Sequence, residues 1–182
     1  MTHPPLSLDD LDALAHAGRV RSGAGYELVA GVLLAAPPPS AALLRTVADL
    51  AAALDAVARD HAVAVRAPLV LGAHDLLRPE VALVRPAWAP APTPSREGPQ
   101  RLDGAGVALA VFVGDEEAPL RWRAHRCARG GVREAWTLAL GERRGSRWCV
   151  PIDGRYTRRE ALVPGEPVVP EALPGRPVVP WR

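Results

Sequence analysis

The run of residues 107–113, "VALAVFV", constrains the fold more than any other stretch, because it is apolar without interruption. A strand with one solvated face alternates between apolar and polar residues, so this run indicates a strand that is covered on both faces. The chain must therefore place other layers on either side of a sheet. Its 182 residues are enough for one such core, and we predict a single domain over residues 1–182.

Three segments have the patterns of helices that pack on such a sheet. Ser7, with Asp10 three residues later, is typical of an N-cap that begins a short helix ending near Gly18. The clearest helix is predicted over residues 40–61, where apolar residues recur at steps of three and four. The recurring residues are Leu43, Val47, Leu50, Leu54 and Val57. A third helix is predicted from about residue 119 to 129, before a glycine pair.

Segments rich in apolar and β-branched residues predict the remaining strands. They cover residues 26–36 (a strand pair or a bent strand), 63–71, 79–84, 134–140, 146–152 and 155–163. Residues 72–78, "GAHDLLR", have the composition of a hairpin turn, and Asp153-Gly154 is a strong two-residue hairpin signal. The order of elements indicates an α/β or α+β domain, in which helices pack on a mixed sheet.

Prolines, cysteines and hydropathy restrict the class of protein. The 20 prolines cluster, and they predict a loop over residues 86–106 and a Pro-rich C-terminal tail from about residue 164. Cys127 and Cys149 are too few for a disulfide scaffold and lack the spacing of a metal site. No apolar run is long enough to span a membrane, and the first residues lack the pattern of a secretory signal. We therefore expect a cytoplasmic protein with no membrane partner.

All 22 basic residues are arginine, and the net charge of +2 is too small to indicate nucleic-acid binding by itself. Because arginine stays protonated, a mechanism that needs a lysine amine is excluded. The most basic stretch is the third predicted helix. Its candidates for contact with nucleic-acid phosphates are Arg121, Arg123, Arg126 and Arg129. The same run is also typical of a solvated helix face, and the sequence leaves both interpretations open.

Five local motifs follow one another in an order that points to one family. They are "YELVAGVLLAAPPPS" (26–40), "LLRPEVALVRP" (76–86), "LAVFVGDEE" (109–117), "CARGGVREAWTLAL" (127–140) and "LVPGEPVVPEALPG" (162–175). Together they span nearly the whole chain and resemble the Uma family of endonucleases, of the restriction-endonuclease-like PD-(D/E)XK superfamily. The resemblance implies a mixed central β-sheet flanked by helices. It also implies hydrolysis of DNA phosphodiesters with Mg²⁺ or Mn²⁺ as the cofactor.

The site residues of that family fall on this sequence with two departures. Glu27 matches the first acid of the family, and Glu80, after Pro79, matches the acid of its "PD" motif. The third acid falls on Phe112, which has no ligand atom, and the lysine falls near Arg123. The resemblance therefore implies catalytic roles for Glu27, Glu80 and Arg123 in a degenerate active site.

Asp115, just past the central strand, is the residue that could replace the missing acid. The metal ligands would then be Glu27, Glu80 and Asp115. Each also has an ordinary interpretation, because Glu27 and Glu80 resemble solvated charges at strand ends and Asp115 resembles part of a solvated turn. A buried Phe112 stabilises the core by about 2 kcal/mol, whereas an unpaired glutamate there would cost several kcal/mol. This difference favours phenylalanine in a site that has lost its metal.

These considerations leave two functions open. The first is a metal-dependent DNA endonuclease whose activity is weakened or lost, because one acid is missing and the chain has no lysine. The second is a non-catalytic domain that keeps the nuclease fold and binds nucleic acid or another protein. DNA is the expected partner in the first case, and a homodimer is possible in both.

Overall fold

Two β-sheets and three α-helices make up the computed structural model, which describes residues 4–20, 25–35, 38–88 and 101–181. The helices are α1 (Leu8–His16), α2 (Ala41–Asp55) and α3 (Glu117–Arg129). The strands are β1 (Tyr26–Val29), β2 (Val32–Ala35), β3 (Ala62–Val65), β4 (Leu69–Gly72), β5 (Asp75–Leu77), β6 (Val81–Val84), β7 (Leu102–Asp103), β8 (Val107–Gly114), β9 (Glu134–Ala139), β10 (Arg144–Ile152) and β11 (Arg155–Leu162).

The larger sheet has the order β11-β10-β9-β8-β6-β3, with β8 near its centre. Strand β8 runs parallel to β9 and antiparallel to β6, and its residues 107–113 are all buried. One face of the sheet packs on α2 through residues such as Val111, and the other packs on α3 through Phe112. The prediction of a central strand covered on both faces is therefore confirmed.

The smaller sheet has the order β2-β1-β5-β4-β7 and lies against the same core as α3. Strands β1 and β2 form a hairpin whose turn residues, Ala30 and Gly31, both have positive φ (50° and 76°). Gly31 is needed there for a second reason, because a Cβ at this position would lie 2.3 Å from the Cβ of Pro5. The strand pair predicted for residues 26–36 is thus a hairpin.

Helix α3 connects the parallel strands β8 and β9 and so lies across the sheet. Pro119 falls in its first turn, where a proline removes no helical hydrogen bond. Gly131, which follows the end of the helix, has a φ of 85°, a conformation that favours glycine. Leu120, Ala124 and Cys127 form its buried side. The third predicted helix is confirmed, and its sequence fixes both ends.

Three predictions about local structure were wrong, two about strands and one about the end of a helix. Residues 63–71 do not form one strand, because the chain turns at Arg66 (φ 52°) and continues as β3 and β4 in different sheets. Residues 72–78 are not only a turn, because Asp75–Leu77 is itself strand β5 and pairs with β4 and β1. The helix predicted over residues 40–61 ends earlier, at Asp55, where short turns replace it.

The C-terminal residues fold back onto the larger sheet. Val168 and Val178 form an isolated antiparallel bridge, and the N–H of Gly165 donates to the carbonyl of Trp181 at 2.9 Å. Trp181 is buried and leaves no room for a Cβ at Gly145. The Pro-rich tail therefore closes one side of the core.

The predicted Pro-rich loop is described only at its two ends. Short 3₁₀ turns occur at Pro86–Trp88 and Gly104–Gly106, and β7 precedes the second of them. Residues 89–100 lie outside the described residues. No helix in the described part of the chain is long and apolar enough to cross a membrane.

Candidate active site

Glu27 is the most buried of the predicted site residues, with 5% of its side chain exposed. It lies in β1, and its Oε1 accepts the backbone N–H of Arg78 at 2.9 Å. Its Oε2 accepts from Arg123 of α3, with 2.9 Å to Nε and 2.8 Å to the terminal nitrogen. Both oxygens of the carboxylate are therefore engaged by donors, and its charge is neutralised by a guanidinium.

Glu80 lies between β5 and β6 and reaches the end of the central strand. Its Oε2 accepts the backbone N–H of Val113 at 3.0 Å, which the antiparallel pairing of β6 with β8 brings beside it. Burial raises the pKa of this carboxyl to about 7, and the charge of Glu27 adds to the effect. The Val113 N–H and the charges of Arg123 and Arg66 oppose it. Glu80 is therefore near its point of half-protonation at neutral pH.

The structure thus brings Glu27, Glu80 and Arg123 into one neighbourhood. Glu27 comes from the smaller sheet, Glu80 from the connection between the sheets, and Arg123 from the helix that packs against both. Arg123 holds Glu27 directly and acts on Glu80 through its charge. The neighbourhood contains two carboxyl groups and a fixed cation.

Phe112 and Asp115 differ from Glu27 and Glu80 in their surroundings. Phe112 is 0% exposed and packs in the apolar cluster that includes Leu77, Leu120 and Cys127. Asp115 is exposed in the turn after β8. The third acid position is therefore a core position here, and the carboxylate that could replace it faces solvent.

A divalent metal, which the resemblance implies, does not fit these side chains. Mg²⁺ and Mn²⁺ need several oxygen ligands directed at one point, and Glu27 directs its oxygens at nitrogen donors instead. In the ranges that the structure describes, no three His, Cys, Asp or Glu side chains are grouped as ligands of one ion. Glu27, Glu80 and Asp115 do not form such a group. We therefore assign no step of a reaction to a metal at this site.

The four arginines predicted to bind nucleic acid separate into two pairs. Arg123 and Arg126 face inward: Arg123 pairs with Glu27, and Nε of Arg126 lies 3.1 Å from Asp75 with 13% of the side chain exposed. Arg126 also lies over the Trp122 ring at 5.3 Å. Arg121 and Arg129 are exposed on the outer side of α3.

Glu134 is a buried charge that the sequence reading missed. It is 0% exposed and accepts three hydrogen bonds, from Trp136 Nε1 (2.7 Å), Arg147 Nε (2.6 Å) and the N–H of Glu171 (2.7 Å). Burial raises the pKa of its carboxyl, and these donors oppose the rise. The signal was present, because Glu134 lies two residues before Trp136 and so shares its face of β9, a strand whose residues are all buried. Glu134 fastens the C-terminal segment to the sheet, on the face opposite the Glu27 site.

Comparisons with known proteins agree with this fold. A family model described as "Uma2: Putative restriction endonuclease" matches residues 8–178. The chain belongs to the Uma2 family. A crystal structure described as a "putative nuclease belonging to DUF820", from Anabaena variabilis, superposes with a TM-score of 0.75 at 13% identity, covering 97% of this chain and 96% of the other. No curated protein gives a significant sequence match.

The family and the superposition confirm two sequence predictions. The resemblance to the Uma endonucleases is confirmed by the Uma2 match, and the restriction-endonuclease-like mixed α/β fold is confirmed by the solved structure. At 13% identity the superposition concerns the fold alone. In this Uma2 protein, Phe112 is buried in the core and Arg123 forms an ion pair with Glu27.

Proposed function

We propose that this Uma2 protein is a nuclease-fold, DNA-binding protein in which metal-dependent phosphodiester hydrolysis is strongly weakened or lost. The observation that carries the proposal is the ion pair of Arg123 with Glu27, at 2.8 Å. It sets a permanent cation against the carboxylate that would hold the metal. DNA as the partner follows from the family description and from the exposed arginines of α3.

The replacement of a metal by a guanidinium changes the chemistry of the site. Mg²⁺ lowers the pKa of a bound water and neutralises charge that develops on the phosphate. A guanidinium supplies positive charge and hydrogen-bond donors, but it does not activate a water molecule. Arg123 is therefore suited to hold Glu27, or a phosphate, and not to generate the nucleophile.

Phe112 and Glu80 support the same proposal. A buried phenylalanine offers no oxygen, and the apolar cluster around it disfavours a charged replacement. Glu80 is engaged within the protein as well, because its Oε2 accepts the backbone N–H of Val113 at 3.0 Å. Phe112 thus removes a ligand atom, and the contact of Glu80 uses one of its oxygens.

Cleavage of supercoiled plasmid with Mg²⁺ or Mn²⁺ tests the proposal. We expect the native protein to cleave no faster than Glu80→Ala or Glu27→Ala, because none of the three holds a metal. Cleavage by the native protein that both substitutions abolish would contradict the proposal and support a functional metal site.

A double variant that restores the family's residues sharpens this test. Phe112→Glu combined with Arg123→Lys returns the missing acid and the lysine, and we expect metal-dependent cleavage to appear. Phe112→Gln with Arg123→Lys is the matched control, because it has the same size and lacks the added carboxylate. Thermal melting of both variants with and without Mn²⁺ shows whether they fold, and metal-dependent stabilisation is expected only for the first.

A further inference from the structure

The outer side of α3 carries a ridge of basic residues that the Glu27 site does not use. Arg121, His125 and Arg129 follow one another at steps of four residues, so they lie along one side of the helix. Arg121 and Arg129 are exposed. This ridge is distinct from Arg123 and Arg126, whose guanidinium groups face Glu27 and Asp75.

The hairpin of β10 and β11 places further arginines beside this ridge. Its turn residue Gly154 lies against Arg129, because a Cβ there would be 3.2 Å from the Cγ of Arg129. The next residue, Arg155, is exposed at the same place. Farther along β11, Arg159 lies over the Trp148 ring at 4.7 Å, and His125 meets the edge of that ring at 5.1 Å. Helix and hairpin therefore present their arginines to one surface.

The charges on this surface are mostly uncompensated. Glu117 pairs with Arg159, and Asp153 lies in the adjacent turn. In the described part of the chain, no carboxylate lies within 4.0 Å of Arg121, Arg129 or Arg155. The pKa of His125 is lowered, first by burial and then by the charges of Arg121, Arg129, Arg155 and Arg159. The positive charges of these four arginines therefore all act on the imidazole of His125.

The dimensions of the surface suit a chain of phosphates. Arg121 and Arg129 lie eight residues apart on α3 and so span about 12 Å of the helix axis, which matches roughly three to four phosphates of one DNA strand at about 3.4 Å each along the axis. Beyond Arg159, an open cavity of about 460 Å³ continues the surface, and its lining includes Glu117 as well as Arg143, Arg144 and Ser146. The arginines on this surface therefore extend from Arg129, at the end of α3, to Arg143, in the turn before β10.

We propose that Arg121 and Arg129 of α3, with Arg155 and Arg159 of β11, form a binding surface for the phosphodiester backbone of nucleic acid. The proposal rests on the proposed function, in which the nuclease fold is retained for binding DNA. It assigns that binding to the outer side of α3 and the β10–β11 hairpin. Recognition there depends on phosphate charge, and contacts to the phosphodiester backbone carry no base sequence preference.

Fluorescence anisotropy with labelled duplex and single-stranded DNA tests the surface. The test variant is Arg129→Gln with Arg155→Gln, and the matched control is Arg19→Gln with Arg45→Gln, two exposed arginines outside the surface. Each pair removes two positive charges. Each lost phosphate contact should lower the salt slope of log K by about 0.9 on duplex DNA, or about 0.7 on single strands. The test variant should therefore bind more weakly, by a factor that grows about tenfold when salt falls from about 200 mM to about 50 mM.

The outcomes separate this inference from the proposed function. If the native protein binds DNA and the two double variants lose affinity equally, the assigned surface is wrong while the DNA-binding function stands. If the native protein binds no DNA, both fail. If polyglutamate of matched length competes as well as DNA, the surface binds polyanions in general and the assignment to nucleic acid is overturned.

The pKa of His125, which lies in the ridge, provides an independent test of DNA binding that does not require a variant. Bound phosphate beside His125 should raise its pKa, which NMR titration of the imidazole C–H resonances measures with and without DNA. An unchanged His125 titration at saturating DNA would overturn the proposal.

Discussion

At the scale of single residues, the site is defined by how each carboxyl group is neutralised. Glu27 has an arginine and a backbone N–H for its two oxygens. Glu80 has one backbone N–H and a carboxyl whose pKa is near 7, so it is neutralised partly by protonation. Neither arrangement needs a metal. The raised pKa of Glu80 makes the stability of the folded protein depend on pH.

The raised pKa of Glu80 predicts that stability falls as pH rises. Between its ordinary pKa of 4.5 and about 7, the unfolded chain loses the Glu80 proton while the folded chain keeps it. The stabilisation is therefore complete below pH 4.5 and is lost as pH rises through 7, by about 3 kcal/mol in all.

Urea unfolding of the native protein and of Glu80→Gln, at pH values on both sides of this range, measures the contribution. Glu80→Gln keeps the size of the side chain and cannot ionise, so its stability should fall less with pH. The same pH dependence in both proteins would show that Glu80 is not protonated in the folded state.

At the scale of elements, the sequence predicted those that local pattern determines. The unbroken apolar run gave β8, the cap signal of Ser7 gave α1, and Asp153-Gly154 gave the β10–β11 hairpin. It did not predict the division of residues 63–71 between two sheets. The turn at Arg66 has a positive φ, which is unusual for arginine, and the signal that was present, Pro68 within the run, was not used. The division depends on strand pairing, because β3 pairs with β6 whereas β4 pairs with β5 and β7.

Glu134 provides a prediction at the same scale, because it joins β9 to the C-terminal segment. Glu134→Ala leaves Arg147 without its closest partner and frees the N–H of Glu171. Breaking a buried ion pair in this way should cost about 3 to 5 kcal/mol. Glu166→Ala, an exposed position in the same segment, should change stability by less than about 0.5 kcal/mol.

Urea unfolding gives the cost of Glu134→Ala, and hydrogen exchange of the Glu171 amide shows whether the segment loosens. A loss of stability without faster exchange at Glu171 would mean that Glu134 stabilises the sheet and does not hold the segment.

At the scale of the whole molecule, the candidate site assembles residues from both sheets and a helix. Glu27 and Arg123 are far apart in the sequence, so their ion pair was not predictable from spacing. The resemblance to the Uma family placed both residues at the site, and the structure supplied what each contacts. We propose that the two sheets and three helices form a single domain, because one large apolar cluster contains residues of both sheets.

We propose that an arginine takes the place of a metal in the neighbourhood of Glu27 and Glu80. Thermal melting of the native protein during titration with Mn²⁺ or Mg²⁺ tests it most directly, because a ligand that binds only the folded state stabilises it. We expect no change in Tm at roughly millimolar metal. A metal at about 100 times its Kd would add about 2.7 kcal/mol, or a rise of several degrees at about 2–4 °C per kcal/mol. Such a rise, abolished in Glu80→Ala, would show that the neighbourhood binds a metal.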